Sequence, residues 1–379
     1  MKWSYRVARV AGIDIRVHAT FAFVLVFGAV QWGVPHGAPG AAFGVLAMLF
    51  LFGCVVLHEL GHSLVARAFA LPVREIVLLP IGGVAKLEKN PEKPLHELLI
   101  ALAGPLVNVG LALLLALAVD GATLQALNEK GLVGDKPLVP SAETLVLWLL
   151  AANVSLAVFN MIPAFPLDGG RVLRALLAMG MGFPRATRTA AAIGQVLAVG
   201  LGVFAIVTGQ MLLALIAFLI FIGAGQEQAE EQARSVLSTL RVGDAYNKYA
   251  LTLSPGDHVS RVVDYILTSY QPDFAVLQGT QLLGAVTRQD VLKALATDGR
   301  DQYVAGIMDR DVTRVQASEP LDAVRRLMLE KGVRIVGVFD AERYLGLVSL
   351  EDLSEALLVV TFVERQNALR RAAEGPQEM

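Results

Sequence analysis

Charged residues, cysteines and histidines are all scarce in this chain, and each shortage limits the classes of protein and of functional site that fit the sequence. Only 17% of its 379 residues are charged, whereas 55% are hydrophobic. With a mean hydropathy of +0.57, this composition is typical of a membrane protein with a soluble part. The single cysteine, Cys54, excludes an intrachain disulfide. The net charge of −2 shows no excess of basic residues, so we expect no nucleic-acid partner.

Two of the six histidines stand close together, in the segment His58-Glu59-Leu60-Gly61-His62, inside an apolar run. On a helix, side chains four residues apart point to the same face, about one turn from each other. Two neutral imidazoles at this spacing can hold Zn²⁺, and Glu59 would lie beside the metal as a general base for water. A metal-free polar cluster is the alternative. Polar side chains at membrane depth are costly and usually functional, which favours the metal site.

Hydrophobic runs predict six membrane-spanning helices, at residues 19–32, 41–69, 96–119, 143–162, 190–207 and 211–224. Basic residues follow the second and fourth spans, so the positive-inside rule puts those ends and both chain termini in the cytoplasm. The basic start followed by an apolar run could also be a signal peptide. We interpret it as a true span because the later spans need it for a consistent orientation. Residues 73–87 predict a short β-ribbon that dips toward the site.

The composition changes at Gly225, where the apolar runs end. Residues 226–240 predict a polar helical linker, and a soluble region follows, with an internal repeat at an offset of 62 residues. The segment 283–291 aligns with 345–353, and each copy predicts a strand, a helix, two strands and a helix. A repeat of this size predicts two halves that stack on one core. We expect a frayed tail at 361–379.

A hydrolytic zinc site usually has three protein ligands and one open position, so a third ligand is needed. No other histidine stands in a similar context, which points to a carboxylate at the same depth. His58 lies about 25 Å along its helix, near the inner side of the ~30 Å apolar core. Asp168 follows a span with the same direction and reaches the same level. Two glycines after Asp168 let the backbone approach closely, which favours it over Glu97, although Asp168 could instead cap a helix.

Two asparagines and the cysteine have open interpretations. Asn160 could donate a hydrogen bond to a developing oxyanion, or it could serve helix packing. Asn108 could form an interhelical hydrogen bond, with Gly104 beside it allowing close packing. Cys54 lies one turn before His58, and we interpret it as a small apolar residue rather than a metal ligand.

Three motifs taken together resemble the site-2 protease family of intramembrane zinc metalloproteases. They are H-E-L-G-H at 58–62, A-G-P-L-V-N at 103–108 and N-x-x-P-x-x-P-x-D-G-G at 160–170. The resemblance covers residues 1–225 and implies a six-span core with Zn²⁺ held by His58, His62 and Asp168. It also implies that Glu59 is the catalytic base and acid, and that Asn160 binds the substrate strand or stabilises the intermediate. The expected activity is regulated intramembrane proteolysis of a single-span membrane protein in the lipid bilayer of the cell membrane.

The soluble region resembles a tandem pair of cystathionine-β-synthase-type (CBS) domains, at 241–303 and 304–360. Their G-x-x-[ST]-x-x-D motif occurs in each copy, ending in Thr287 with Asp290 and in Ser349 with Asp352. The resemblance implies an adenine nucleotide (AMP, ADP or ATP) as ligand, a homodimer and a cytoplasmic location. A helix-capping role for the same residues is the alternative.

The expected fold class is therefore a multi-pass α-helical membrane domain with a small β-ribbon, followed by an α/β tandem CBS pair. A CBS-regulated transporter or channel is one alternative function, but a carrier would show polar residues spread over several spans and internal symmetry among them. A catalytically inactive scaffold is the other alternative. The complete set of metal ligands together with Glu59 argues against it.

Overall fold

Long apolar helices dominate the first half of the chain because its hydrophobic runs are long enough to cross a bilayer. The computed structural model describes residues 3–80, 82–87, 91–119, 139–269, 271–298 and 301–374. The chain forms two compact units, Met1–Ala229 and Glu230–Met379. The helices that begin in the first unit are α1 (Ala22–Ala68), α2 (Pro94–Leu117), α3 (Ala142–Asn160), α4 (Asp168–Met181), α5 (Phe183–Val207) and α6 (Met211–Leu237). All of these except α4 are long and apolar enough to span a membrane.

Helix α1 consists of two antiparallel segments that meet at Gly37, where φ is 65° and ψ is −152°. A Cβ added at Gly44 would lie 1.9 Å from the carbonyl oxygen of Gly28, although a straight helix would separate these residues by about 24 Å. The rings of Trp32 and Phe43 also meet, with their centroids 4.5 Å apart. Counting both segments gives six apolar helical segments among the described residues, which agrees approximately with the six predicted spans. The gap left between the first two predicted spans, at 33–40, is too long, because helical backbone continues up to the reversal at Gly37.

A four-stranded sheet lies beside these helices, in the order β1 (Ser4–Val10), β2 (Ile13–His18), β3 (Val73–Leu79), β4 (Gly82–Leu87). Strands β3 and β4 confirm the predicted ribbon, and β2 pairs with β3 in parallel. The N-terminal hairpin was not predicted, because its basic residues masked the alternation of Ile13, Ile15 and Val17. Strand β4 is last in the order, so its outer edge has no strand partner among the described residues.

The second unit repeats one pattern twice, as the 62-residue offset predicts. Helix α7 (Val242–Ala245) precedes the first copy: β5 (Thr252–Leu253), α8 (Val259–Ser269), β6 (Asp273–Gln278), β7 (Gln281–Thr287) and α9 (Arg288–Asp298). Helix α10 (Val304–Ile307) precedes the second copy: β8 (Arg314–Gln316), α11 (Leu321–Lys331), β9 (Ile335–Asp340), β10 (Arg343–Ser349) and α12 (Leu350–Glu374). Buried side chains recur at equivalent positions of the two copies; Phe274 corresponds to Val336, and Val286 to Val348. The chain thus builds the same sheet-and-helix core twice.

Two helices run further than predicted, and one was missed. Helix α6 continues through most of the expected linker to Leu237, and α12 continues through the expected tail to Glu374. Helical backbone occupies the expected tail as far as Glu374 because the chain contains no glycine or proline between Leu350 and Gly375, so nothing breaks the helix. Helix α4 is too short to span and escaped prediction. The connection between the third and fourth predicted spans, residues 120–142, lies mostly outside the described residues. The domain boundaries at 225, 240, 303 and 360 stay predictions.

Candidate metal centre

Three buried side chains from two helices meet at one point. His58 and His62 lie on successive turns of α1, and their Nε2 atoms are 3.1 Å apart. Asp168, the first residue of α4, places Oδ2 at 3.2 Å from each of these nitrogens. Each residue is less than a tenth exposed. The structure therefore brings the two histidines of H-E-x-x-H together with the predicted third ligand, Asp168, which lies 110 residues after His58 in the sequence.

The spacing of these three atoms fits a zinc ion. Ligands at 2.0–2.1 Å in tetrahedral geometry lie about 3.3 Å from one another. The observed distances of 3.1, 3.2 and 3.2 Å form a nearly equilateral triangle of that size. Two imidazoles and one carboxylate are also a donor set that hydrolytic zinc sites use, with a fourth position left for water. Among the described residues, this is the one cluster of three or more such donors.

One face of α2 orients both imidazoles. The side-chain oxygen of Asn108 lies 2.7 Å from Nδ1 of His58, and the carbonyl oxygen of Ile100 lies 2.6 Å from Nδ1 of His62. Both oxygens are acceptors, so each Nδ1 carries the proton and each Nε2 keeps a lone pair for a metal. Between these contacts lies Gly104, where a Cβ would stand 2.2 Å from Nε2 of His62. The interhelical bond of Asn108 was predicted; its hold on a candidate ligand was not.

A tight loop delivers Asp168 to the histidines. A Cβ at Gly169 would lie 2.3 Å from the carbonyl oxygen of Ile162, and one at Gly170 would lie 2.6 Å from the backbone nitrogen of Phe165. The two glycines are therefore required for the close approach that the sequence suggested. The N-cap of α4 is Leu167, and Asp168 is already the first helical residue. Its carboxylate is directed to the imidazoles, so the alternative of Asp168 as an N-cap is wrong.

A cavity of about 480 Å³ opens beside the three donors. Glu59 and Asn160 both line it, next to His58 and Asp168. Strand β4 passes directly over Glu59, since a Cβ at Gly83 would lie 2.5 Å from its Cγ. Apolar side chains complete the wall, among them Leu156 and Phe159. The cavity thus places one carboxyl, one amide and a strand next to the candidate metal position.

Two other candidates lie away from the cluster. Glu97, the competitor for the third ligand position, accepts a hydrogen bond from Nε of Arg174 at 2.8 Å instead. Glu97 belongs to no donor cluster among the described residues, so it is not part of this site. Cys54 accepts a hydrogen bond from the amide of Asn153 at 3.4 Å and stands apart from the donors, as expected for a small packing residue.

The two CBS-like motifs are placed differently in the second unit. In both copies the backbone N–H of the hydroxyl residue donates to the aspartate, at 3.0 Å for Thr287 to Asp290 and 2.7 Å for Ser349 to Asp352. This is helix capping, the alternative stated above. Ser349 and Asp352 also line a cavity of about 460 Å³, whereas Thr287 and Asp290 are not among its lining residues.

The second-unit cavity is acidic. Its lining includes Asp273, Glu351, Asp352 and Glu355, and none of the described lining residues is Lys, Arg or His. Burial, followed by repulsion from Glu351, raises the pKa of Asp273 to about 6. A ligand in this cavity would therefore meet negative charge at neutral pH.

Comparisons with known proteins agree with both parts of the chain. The model of peptidase family M50 matches residues 46–204, and the CBS domain model matches residues 304–359. A zinc metalloprotease of Methanocaldococcus jannaschii is 29% identical over 361 residues, covering 94% of this chain and 99% of the relative. The stage IV sporulation protein FB of Bacillus subtilis is 29% identical over 154 residues, covering 39% of this chain and 48% of that protein. The solved site-2 protease from Methanocaldococcus jannaschii is 36% identical and covers 60% of this chain and 95% of that structure, with a TM-score of 0.43.

Proposed function

The chain belongs to peptidase family M50, the site-2 protease family of membrane zinc metalloproteases, and we propose that it cleaves a single-span membrane protein in or near its spanning segment. This is regulated intramembrane proteolysis. The observation that carries the proposal is the triangle of His58, His62 and Asp168 beside Glu59, in a cavity bordered by a strand edge that has no partner strand in the described part of the chain.

The residues of the site divide the proposed work between metal binding, proton transfer and hydrogen bonding to the substrate. His58, His62 and Asp168 hold the zinc ion, which when bound activates water and polarises the scissile carbonyl. Glu59 takes the proton of the attacking water and delivers it to the leaving nitrogen. Asn160 donates a side-chain N–H to the substrate backbone or to the negative charge that develops on its oxygen. The apolar walls of the cavity limit entry of water.

Strand β4 is proposed to bind the substrate by backbone pairing. A membrane helix hides its carbonyl groups in internal hydrogen bonds, so a short stretch must become extended before it is cut. The outer edge of β4 offers backbone groups that can pair with such a stretch. Because Gly83 lies against Glu59, a segment paired there runs past the general base.

Two variants test the metal and the base separately. Full-length Glu59→Gln protein in detergent should bind zinc like the wild type and leave a model single-span substrate uncut. Asp168→Asn should lose both zinc affinity and activity, and exposed Glu92→Gln is the control that should change neither. Normal cleavage by Glu59→Gln would refute the mechanism, and undiminished zinc binding by Asp168→Asn would refute the ligand assignment.

We further propose that the protein resides in the cell membrane with both termini and the CBS pair in the cytoplasm, and that it forms a homodimer through the CBS pair. The basic residues after the second and fourth predicted spans support the orientation. Cysteine accessibility at either terminus, probed from each side of sealed vesicles, tests it. Mass measurement of the detergent-solubilised protein tests the dimer.

An adenine-containing ligand at the second-unit cavity is the proposed regulator. Ser349 and Asp352, which line the cavity, are the proposed partners of its ribose hydroxyls, while the acidic lining favours few phosphates. Titration of the full-length protein with adenosine, AMP, ADP and ATP should give the weakest binding for ATP. Absence of binding by all four would refute this part alone.

A further inference from the structure

A second group of charged side chains is buried in the first unit, away from the candidate metal centre. Arg174 on α4 donates from Nε to Glu97 Oε1 at 2.8 Å, and its Nη2 contacts the same oxygen. Its Nη1 reaches Glu227 Oε1 at 2.5 Å. The side chains of Arg174 and Glu97 are only 11% and 5% exposed, and that of Glu227 is 32% exposed. One guanidinium therefore joins three helices, because Glu97 is on α2 and Glu227 is on α6.

The same guanidinium fixes the loop that leads to Asp168. Its central carbon lies 5.1 Å from the ring centroid of Phe165, within range of a cation–π interaction. Phe165 is only 1% exposed and stands three residues before Asp168. Asp168 begins the helix that carries Arg174, about 9 Å further along its axis. Arg174 thus holds both the loop before Asp168 and the helix after it.

Helix α2 provides the common reference for the whole site. Glu97, Ile100, Gly104 and Asn108 follow one another at intervals of three or four residues, so they lie along one face of α2. The last three contact the two histidines, and the first contacts Arg174. The same face of α2 therefore contacts the two imidazoles directly and contacts the helix of Asp168 through Arg174.

We propose that Arg174, clamped by Glu97 and Glu227, is a positioning residue that sets the Asp168 carboxylate at ligand distance from the two histidines. The inference rests on the proposed function, since it takes Asp168 as a zinc ligand. Glu227 lies on α6, whose last residues belong to the second unit, so a shift of that helix would be transmitted to the aspartate through Arg174.

Zinc affinity is the decisive measurement, made on the full-length protein in detergent by competition with a chromophoric chelator. We expect Arg174→Gln to raise the zinc dissociation constant by about tenfold, the lower end of the loss for a direct partner of a metal ligand, because Arg174 acts on Asp168 only through Phe165 and α4. Arg174→Lys should lie between this variant and the wild type, because lysine keeps the charge but not the planar fork. Glu227→Gln should raise the constant several-fold. Exposed Arg188→Gln removes the same charge from α5 and should leave the constant unchanged.

A second variant covers the case in which Arg174→Gln leaves Glu97 buried without a partner and the protein fails to fold. Replacing both by apolar residues, in Glu97→Leu/Arg174→Met, removes the buried charges together, which proteins often tolerate. We expect this variant to fold, by circular dichroism, and to bind zinc weakly. Wild-type zinc affinity in folded Arg174→Gln or in the double variant would overturn the inference. Unchanged affinity in Glu227→Gln would overturn the link to α6, and a wild-type protein without zinc would instead refute the proposed function.

Discussion

Replacing Gly104 by alanine should disable the candidate metal centre through a single methyl group. The added Cβ would stand 2.2 Å from Nε2 of His62 and 2.7 Å from Cε1 of His58, whereas ordinary contact begins at 3.4 Å. Relief of the clash requires a displacement of about 1.2 Å between α2 and the imidazoles. Ligand distances in a metal site are held to about 0.2 Å, and a misplacement of about 1 Å can cost ~100-fold in rate. We therefore expect kcat/KM to fall about 100-fold or more, with weaker zinc binding.

The matched control is Gly110→Ala, six residues further along the same helix. A Cβ at Gly110 meets no atom within 4 Å, and alanine in a helix interior is more stable than glycine by about 0.5–1 kcal/mol. This variant should keep full activity and melt no earlier than the wild type. Both proteins are assayed with a single-span substrate in detergent, and zinc affinity is measured in parallel. A Gly104→Ala protein with wild-type zinc affinity and activity would show that the close approach of α2 is not needed.

Three further predictions follow from the geometry. Asn108→Leu, which removes the acceptor for His58 Nδ1, should weaken zinc binding by about 10- to 100-fold, while Asn153→Leu on α3 should not; equal affinities in both would contradict the orienting role. Two glycines placed next to the cut site of a substrate should speed cleavage by about tenfold or more, because each weakens its helix by about 1 kcal/mol; an unchanged rate would mean that unwinding does not limit the reaction. Burial raises the pKa of Asp273 to about 6, against 3.8 for the free side chain, so the folded state binds the proton more tightly than the unfolded state. The stability of the second unit should therefore fall by on the order of 1 kcal/mol, after allowance for solvent screening, as the pH rises from 4 to 6. Hydrogen exchange of β6 and β7 measures this fall, and Asp273→Asn should abolish it.

The sequence predicted the elements of this fold wherever one pattern dominated. Apolar runs located the spanning helices, and the repeat predicted the double core of the second unit because its buried positions recur at a constant offset. The N-terminal hairpin escaped because a short strand with several arginines gives no strong period. The reversal between the first two spans was predicted, at the glycines and prolines of 33–40, but its sharpness was not, because the structure confines the turn to the positive φ of Gly37.

For the candidate site, motif spacing and membrane depth led to the three donors that the structure brings together. The contacts around them were less accessible. From the sequence, Gly104 and Asn108 suggested only close packing and an interhelical hydrogen bond. The contact of Ile100 with His62 uses a backbone carbonyl, which every residue type has, so the sequence could not predict it. Glu97 was weighed as a ligand because the site needed a carboxylate as its third ligand and Glu97 lies at the start of the third predicted span. Its actual partner, Arg174, is 77 residues away, and no local pattern connects the two.

The strip of contacts along α2 also determines where this protein can open. A helix that touches both imidazoles and the Arg174 guanidinium cannot rotate or slide without breaking all of these contacts at once. Leu156 and Phe159 of α3 and the Gly82–Gly83 end of β4 line the cavity without taking part in these contacts, so we expect a substrate to enter beside them rather than past α2. The contacts along α2 thus make it the wall of the site that has to stay in place if the three donors are to keep their spacing.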